Sequence, residues 1–198
     1  MKHRYFVLFK PYNMLSQFVS PYPHRLLGEI NFPFPEGTHA IGRLDEKSEG
    51  LLILTTDKTL TRRLLHPDKN HLRHYLVQVE RLISDDTIET LRNGMSIEVK
   101  RKGHYTTMPC KVSRVEDLSA IPIVENIFTH YVPHDWLHFE LIEGKNRQIR
   151  KMCKAVRHKC KRLIRTRIEN LELGSLKAGE VKEYEQEEFF KLLNLQEE

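Results

Sequence analysis

Arg43, Asp45, Glu46 and Glu49 share one short polar stretch, Gly42-Arg43-Leu44-Asp45-Glu46-Lys47-Ser48-Glu49-Gly50. It lies between two apolar runs, His39-Ala40-Ile41 and Leu51-Leu52-Ile53-Leu54. The second run, four apolar residues following a glycine, reads as a buried strand. A carboxylate beside such runs is costly to bury as an anion unless a partner meets it. Asp45 is therefore a candidate functional carboxylate. Aspartate is also a routine turn residue, and spacing alone favours that plainer reading. Gly42 and Gly50 permit tight turns at either end of the stretch. Ser48 is suited to hydrogen-bonding within it.

A second concentration of chemistry is cationic. The 198 residues carry 32 Lys and Arg against 27 Asp and Glu, a net charge of only +5. The charge is unevenly placed: from Lys145 to Arg167 there are eleven Lys or Arg and no Asp or Glu, and the remainder is net acidic. A run of this length without counter-charge points to a polyanion rather than to a solvated helix face. Candidate phosphate contacts are Lys145, Arg147, Lys151, Lys154, Arg157, Lys159, Lys161, Arg162, Arg165 and Arg167. The eleven histidines are dispersed, and His71/His74 is the tightest pair that could share a helix face. No cysteine or carboxylate cluster supports that pair, so no metal site is expected. Cys110, Cys153 and Cys160 form no C-x-x-C pair and are odd in number, which fits the reducing cytoplasm. No stretch approaches a membrane span. The apolar run near the start is too short for a signal peptide and reads as a first strand.

The elements that must position these groups are mixed. Asp57 can cap a helix through Leu60, Leu64 and Leu65 that ends at His66-Pro67. Tyr75, Val77 and Val79 alternate with Leu76 and Gln78, as in a strand. Ser84-Asp85-Asp86 opens a helix carrying Ile88 and Leu91, and Asn93-Gly94 closes it. Residues 106–112 read as an edge strand interrupted by Pro109, and 113–135 as a long functional loop. Residues 136–142 read as a strand feeding a helix near Asn146. In that helix Ile149, Met152, Cys153 and Val156 form a buried stripe, and Arg147, Arg150, Lys154 and Arg157 a basic one. Glu183 to Glu188 and then Phe189, Phe190, Leu192 and Leu193 read as a closing, docked helix. The pattern is α+β with a largely antiparallel sheet.

Several segments, taken together, resemble the RsuA-type pseudouridine synthase family. Arg43-Leu44-Asp45, followed by Ser48, Gly50-Leu51-Leu52 and Leu54-Thr55, is similar to the family's catalytic signature. Lys10-Pro11-Tyr12-Asn13 resembles its opening Lys-Pro-x-Gly, with Asn13 in place of glycine. Arg73-His74-Tyr75-Leu76-Val77 resembles its basic-x-Tyr-x-Val strand. Residues 143–152, Glu-Gly-Lys-Asn-Arg-Gln-Ile-Arg-Lys-Met, resemble its Asn-Arg-Gln-x-Arg motif. Leu163-Ile164-Arg165 and Gly179-Glu180-Val181-Lys182-Glu183 resemble its closing segments. The likeness spans nearly the whole chain and leans toward a branch acting on large-subunit ribosomal RNA.

The resemblance implies a pseudouridine synthase fold: one catalytic domain over 1–198, a mixed, mostly antiparallel sheet with flanking helices, and an active cleft between two lobes. The S4 module carried by many family members would be absent, because the first motif opens the chain. It implies uridine isomerisation with Asp45 as catalytic anion, Arg150 as its cationic partner and Tyr75 stacked on the uracil. Arg43 would fill the place of the flipped-out base. Lys10, Lys145, Arg147, Lys151, Lys154 and Arg165 would meet the RNA. The chemistry needs no cofactor and no metal, and a cytoplasmic monomer is expected. Whether Asp45 attacks the sugar or removes a proton stays open. An RNA-binding assembly factor without chemistry, and a hydrolase pairing Asp45 with Glu46 or Glu49, are the other classes. The intact Asp45, Tyr75 and Arg150 set weighs against the first. The second needs two carboxylates facing one bond, which nothing in the sequence establishes.

Overall fold

The apolar runs at Tyr5–Lys10 (β1) and Glu49–Thr55 (β3) are buried along their whole length. Strands covered on both faces read as continuous rather than alternating hydrophobic runs, which is why both are visible in the sequence. The computed structural model describes residues 2–65, 70–99, 103–117, 119, 121 and 133–195. The chain divides into two compact units, residues 1–71 with 164–198, and residues 72–163.

In the first unit β1 and β3 pair antiparallel, from Tyr5 opposite Thr55 to Lys10 opposite Gly50. Beyond β1 lies β11 (Val181–Tyr184), also antiparallel. On its other side β3 meets β2 (His39–Ile41) antiparallel and β9 (Cys160–Ile168) parallel, with Glu49 opposite Ile164. The short β10 (Leu171–Glu172) folds back on β9. Phe6, Leu8, Leu52 and Leu54 join Met14, Leu27, Ile30 and Leu44 in one core cluster. Tyr5 instead stacks on Phe189 at 5.1 Å and meets the edge of Phe190 at 5.3 Å, which docks α4 (Gln186–Leu192). α1 (Leu60–Leu65) begins where the Asp57 carboxylate accepts from the Thr59 N–H and hydroxyl. Its expected end at His66-Pro67 lies outside the described residues.

In the second unit β4 (Arg73–Glu80) and β8 (His134–Leu141) pair antiparallel over eight residues. β7 (Lys111–Arg114) flanks β8, and the first residues of β9 flank β4. α2 (Asp85–Arg92) starts at Ser84, whose hydroxyl accepts from the Thr87 N–H, and buries Ile88 and Leu91. α3 (Gln148–Ala155) buries Ile149, Met152 and Cys153 in the core with Val77, Leu137 and Phe139. β5 (Ser96–Val99) and β6 (Gly103–Thr106) form a separate hairpin.

Three expectations are corrected. The strand read over 106–112 is two strands, β6 and β7. Between them the Thr107 and Cys110 N–H groups donate to Met95 and Arg92 carbonyls, and Pro109 has no N–H for a ladder. The basic stripe of four is shorter: Arg147 is the left-handed residue before α3 (φ 54°) and Arg157 a left-handed residue beyond it (φ 63°). Only Arg150 and Lys154 ride on the helix. The loop read over 113–135 loses Ser113 and Arg114 to β7 and His134 and Asp135 to β8; residues 118, 120 and 122–132 lie outside the described part.

Candidate active site

Asp45 sits half-buried in a turn closed by the Ser48 N–H donating to its carbonyl at 2.9 Å. The segment after β1 clamps this turn. Asn13 adopts φ 57°, the left-handed geometry that asparagine tolerates better than most residues, and the chain doubles back. Met14 N–H then donates to the Glu46 carbonyl at 3.3 Å. The buried Ser16 hydroxyl donates to the Leu44 carbonyl at 2.9 Å and accepts from the Leu44 N–H at 3.1 Å. His24 meets Glu46 at 3.2 Å. The turn is thus held on both sides of Asp45. Ser16 was not singled out by sequence reasoning; a lone serine in a loop carries no signal until its partner 28 residues away is known.

Lys10, expected to meet RNA, lies instead in the core, fully buried at the end of β1. Its ammonium donates to the carbonyls of Met14 at 2.6 Å, Pro11 at 2.7 Å and Glu46 at 3.3 Å. Burial pulls the lysine down to about 7, against the upward pull of the Glu49, Glu46 and Asp45 carboxylates. Desolvation disfavours the charged form, and here it outweighs three nearby anions. Lys10 acts as a brace for the loop beneath Asp45.

Gly50 follows the buried Glu49 with φ 96°, and a Cβ there would stand 2.3 Å from the Arg165 carbonyl oxygen. The glycine allows the parallel approach of β3 and β9. Arg165 is correspondingly internal: 5% exposed, it donates through Nε to the Leu51 carbonyl at 2.8 Å. It too moves inward from its expected place on an RNA surface. Arg43 is exposed, and among the described residues it makes no ion pair with Glu46 or Glu49.

The other expected site residues belong to the second unit. Tyr75, on β4 opposite Phe139, is half-buried against the core cluster. Arg150, half-buried on α3, directs Nη1 toward the Cys160 carbonyl at 3.4 Å and sulfur at 3.6 Å. The start of α3 is fixed by Gln148, which accepts from the Lys145 N–H at 3.0 Å and donates to Glu143. Glu143 also accepts from the Tyr105 hydroxyl at 2.7 Å and the Met108 N–H at 2.9 Å. Lys145 lies over the Tyr105 ring at 4.5 Å. The buried Lys151 Nζ has no hydrogen-bond partner among the described residues.

The basic segment divides in the folded chain. Arg162 is buried and packs over Trp136 at 5.8 Å, Lys161 pairs with Glu80, and Arg167 lies 3.6 Å from Glu172. Lys145, Arg147, Lys154, Arg157 and Lys159 remain exposed and make no ion pair among the described residues.

The histidine pair weighed in the sequence separates: His71 faces Glu169 at 3.3 Å, whereas His74 meets His138 at 3.2 Å across β4 and β8. With Glu140, His74 and His138 bring ligand atoms within 4.8 Å of one another. That grouping arises from strand register, which linear spacing does not reveal. Its groups already bond, the imidazoles to each other and Glu140 to Lys111 at 3.4 Å.

Residues 4–155 match the family described as RNA pseudouridylate synthase, and the chain belongs to that family. It is 37% identical over 176 residues to the ribosomal large subunit pseudouridine synthase E of Xanthomonas axonopodis pv. citri, covering 86% of this chain and 88% of that one. It is 34% identical to the protein of the same name from Vibrio vulnificus, covering 88% and 72% respectively. A solved pseudouridylate synthase shares the fold with a TM-score of 0.75 at 24% identity, covering 96% of this chain and 74% of the other. The mixed, mostly antiparallel α+β architecture expected of the family is the one observed.

Proposed function

We propose that this protein isomerises a specific uridine of large-subunit ribosomal RNA to pseudouridine, with Asp45 as the catalytic carboxylate. The observation that carries the reading is the nearly end-to-end match to relatives named as ribosomal large subunit pseudouridine synthases, up to 37% identical. The braced turn beneath Asp45 supports it, because a reacting carboxylate must be held in place.

In this reaction the bond from C1′ to N1 breaks, uracil rotates, a bond from C1′ to C5 forms, and C5 gives up its proton while N1 gains one, so the product is an isomer. Asp45 serves as an anion, adding to the sugar or taking a proton from it. Arg150 supplies the countercharge to that carboxylate, since a guanidinium grips a carboxylate with two donors. Tyr75 stacks against the uracil. Arg43, exposed beside Asp45, occupies the place of the flipped base, whose extrusion costs a few kcal/mol. Lys151 and the exposed Lys145, Arg147 and Lys154 meet phosphates; a buried ammonium without a partner gains from an anionic ligand. No metal or organic cofactor is required by this route. The protein acts as a cytoplasmic monomer.

The test is to incubate unmodified ribosomal RNA with the protein and map pseudouridine chemically. Wild type should yield one modified position, and Asp45→Asn none. Arg150→Met should lower turnover by about a hundredfold or more, the scale of losing a charge stabiliser in a dry site. Arg43→Ala should impair structured RNA more than a pre-opened fragment. Tight RNA binding without product in the wild type would leave a binding protein instead.

A further inference from the structure

The loop between Gln17 and Arg25 is pinned at its base and bare at its tip. At the base, Leu15 N–H donates to the Arg25 carbonyl at 2.9 Å and Leu27 N–H to the Gln17 carbonyl at 3.1 Å. Phe18 anchors one limb against the core, its ring 5.5 Å from Phe34. At the tip, Val19 is 80% exposed and Tyr22 70% exposed. Prolines on both sides of Tyr22 restrict the backbone, and its N–H is taken by the Ser20 hydroxyl at 3.1 Å. One residue beyond Pro23, His24 ties the loop to Glu46, the neighbour of Asp45. An exposed aromatic on so restricted a loop loses little conformational freedom when something stacks on it.

The charges around the tip select the occupant. Glu46 and Glu29 are engaged by His24 and by Arg25, the latter at 3.6 Å. Arg43, beside Asp45, is exposed without an ion pair among the described residues. An open aromatic ring on a restrained loop, with Glu46 and Glu29 engaged by His24 and Arg25, suits the stacking of an unpaired base without repelling its phosphates.

We propose that Tyr22 is a base-stacking residue: its ring receives an unpaired base of the RNA close to the target uridine, which makes Pro21-Tyr22-Pro23 a substrate-selecting element. This rests on the function proposed above.

The experiment uses a large-subunit ribosomal RNA fragment that wild type binds, compared across wild type, Tyr22→Ala, Tyr22→Phe and Tyr22→Trp. Binding and single-turnover rates are measured, with single abasic sites walked through the unpaired nucleotides. Tyr22→Ala should weaken binding by about five- to a hundredfold, the span of one base–aromatic stack, and leave the rate of bound RNA within about twofold. Tyr22→Phe and Tyr22→Trp should bind within about threefold of wild type, because stacking needs the ring and not the hydroxyl. One abasic position should weaken wild type and add nothing to Tyr22→Ala, the signature of a shared contact. Equal affinity of wild type and Tyr22→Ala overturns the stacking role, as does a loss shared by Tyr22→Phe. Wild-type binding that depends on Tyr22 without any pseudouridine would refute the function and leave the stacking intact.

Discussion

Asp45 owes its position to residues that do no chemistry. Ser16, Lys10 and Met14 hold the main chain on either side of it, and Gly50 lets the strand beyond it approach β9. Gly50 and Gly42 both have positive φ, 96° and 63°, but only Gly50 has backbone where a Cβ would go. Gly50→Ala should cost about 3 kcal/mol or more and Gly42→Ala about 1 kcal/mol, read by urea unfolding. Equal losses would mean that backbone geometry, not the β9 approach, sets the requirement. Lys10 makes stability depend on pH. Its folded value, about 7, lies below the ordinary lysine value, so between the two the unfolded chain holds a proton that the folded chain has released. Stability from this group is lowest below pH 7 and rises with pH through that window. Lys10→Met should remove the rise when both proteins are unfolded at several pH values from neutrality to just below the ordinary tyrosine value. Above that, Tyr5, pushed up to about 12 by burial and the Asp57 carboxylate, opposes it.

At the scale of elements, the start of α3 depends on Glu143. One carboxylate accepts from the Tyr105 hydroxyl, the Met108 N–H and the Gln148 side chain, so it joins the β5–β6 hairpin to the helix that carries Arg150. Glu143→Ala leaves those donors without their charged acceptor and should destabilise the protein by about 2 kcal/mol, measured by thermal unfolding. Turnover should fall as well, because Arg150 then rides on a loosened helix; a variant with full stability and full activity would contradict the linkage. Helix and strand identities at this scale were largely legible. The buried stripe Ile149, Met152 and Cys153 predicted α3, and Ser84 with Asp85 predicted the start of α2. β9 was not legible, because Lys161, Arg162, Arg165 and Arg167 read as a basic surface rather than as a strand. Pro109 correctly marked a break, but its neighbours leave the ladder altogether to bond with residues 92 and 95.

Across the whole molecule the cations sort into two kinds. Lys154 and Arg157 are exposed without an ion pair among the described residues, whereas Arg165 is inside with its guanidinium on the Leu51 carbonyl. Each exposed cation that meets a phosphate adds about one unit to the slope of log affinity against log salt. Lys154→Ala and Arg157→Ala should each reduce that slope by about one, with unfolding unchanged. Arg165→Met should instead lower stability by about 1–3 kcal/mol. A loss of slope without loss of stability in Arg165→Met would return that residue to the RNA surface. The amino-acid sequence by itself determined the family, the buried strands around residue 45, the helices and the cationic character of residues 145–167, because these depend on local order and periodicity. Which cations reach solvent, why Lys10 is sheltered and how Ser16 grips Leu44 were decided only by the tertiary structure. Burial and hydrogen-bond partnership arise between residues far apart in the chain, and no local spacing encodes them.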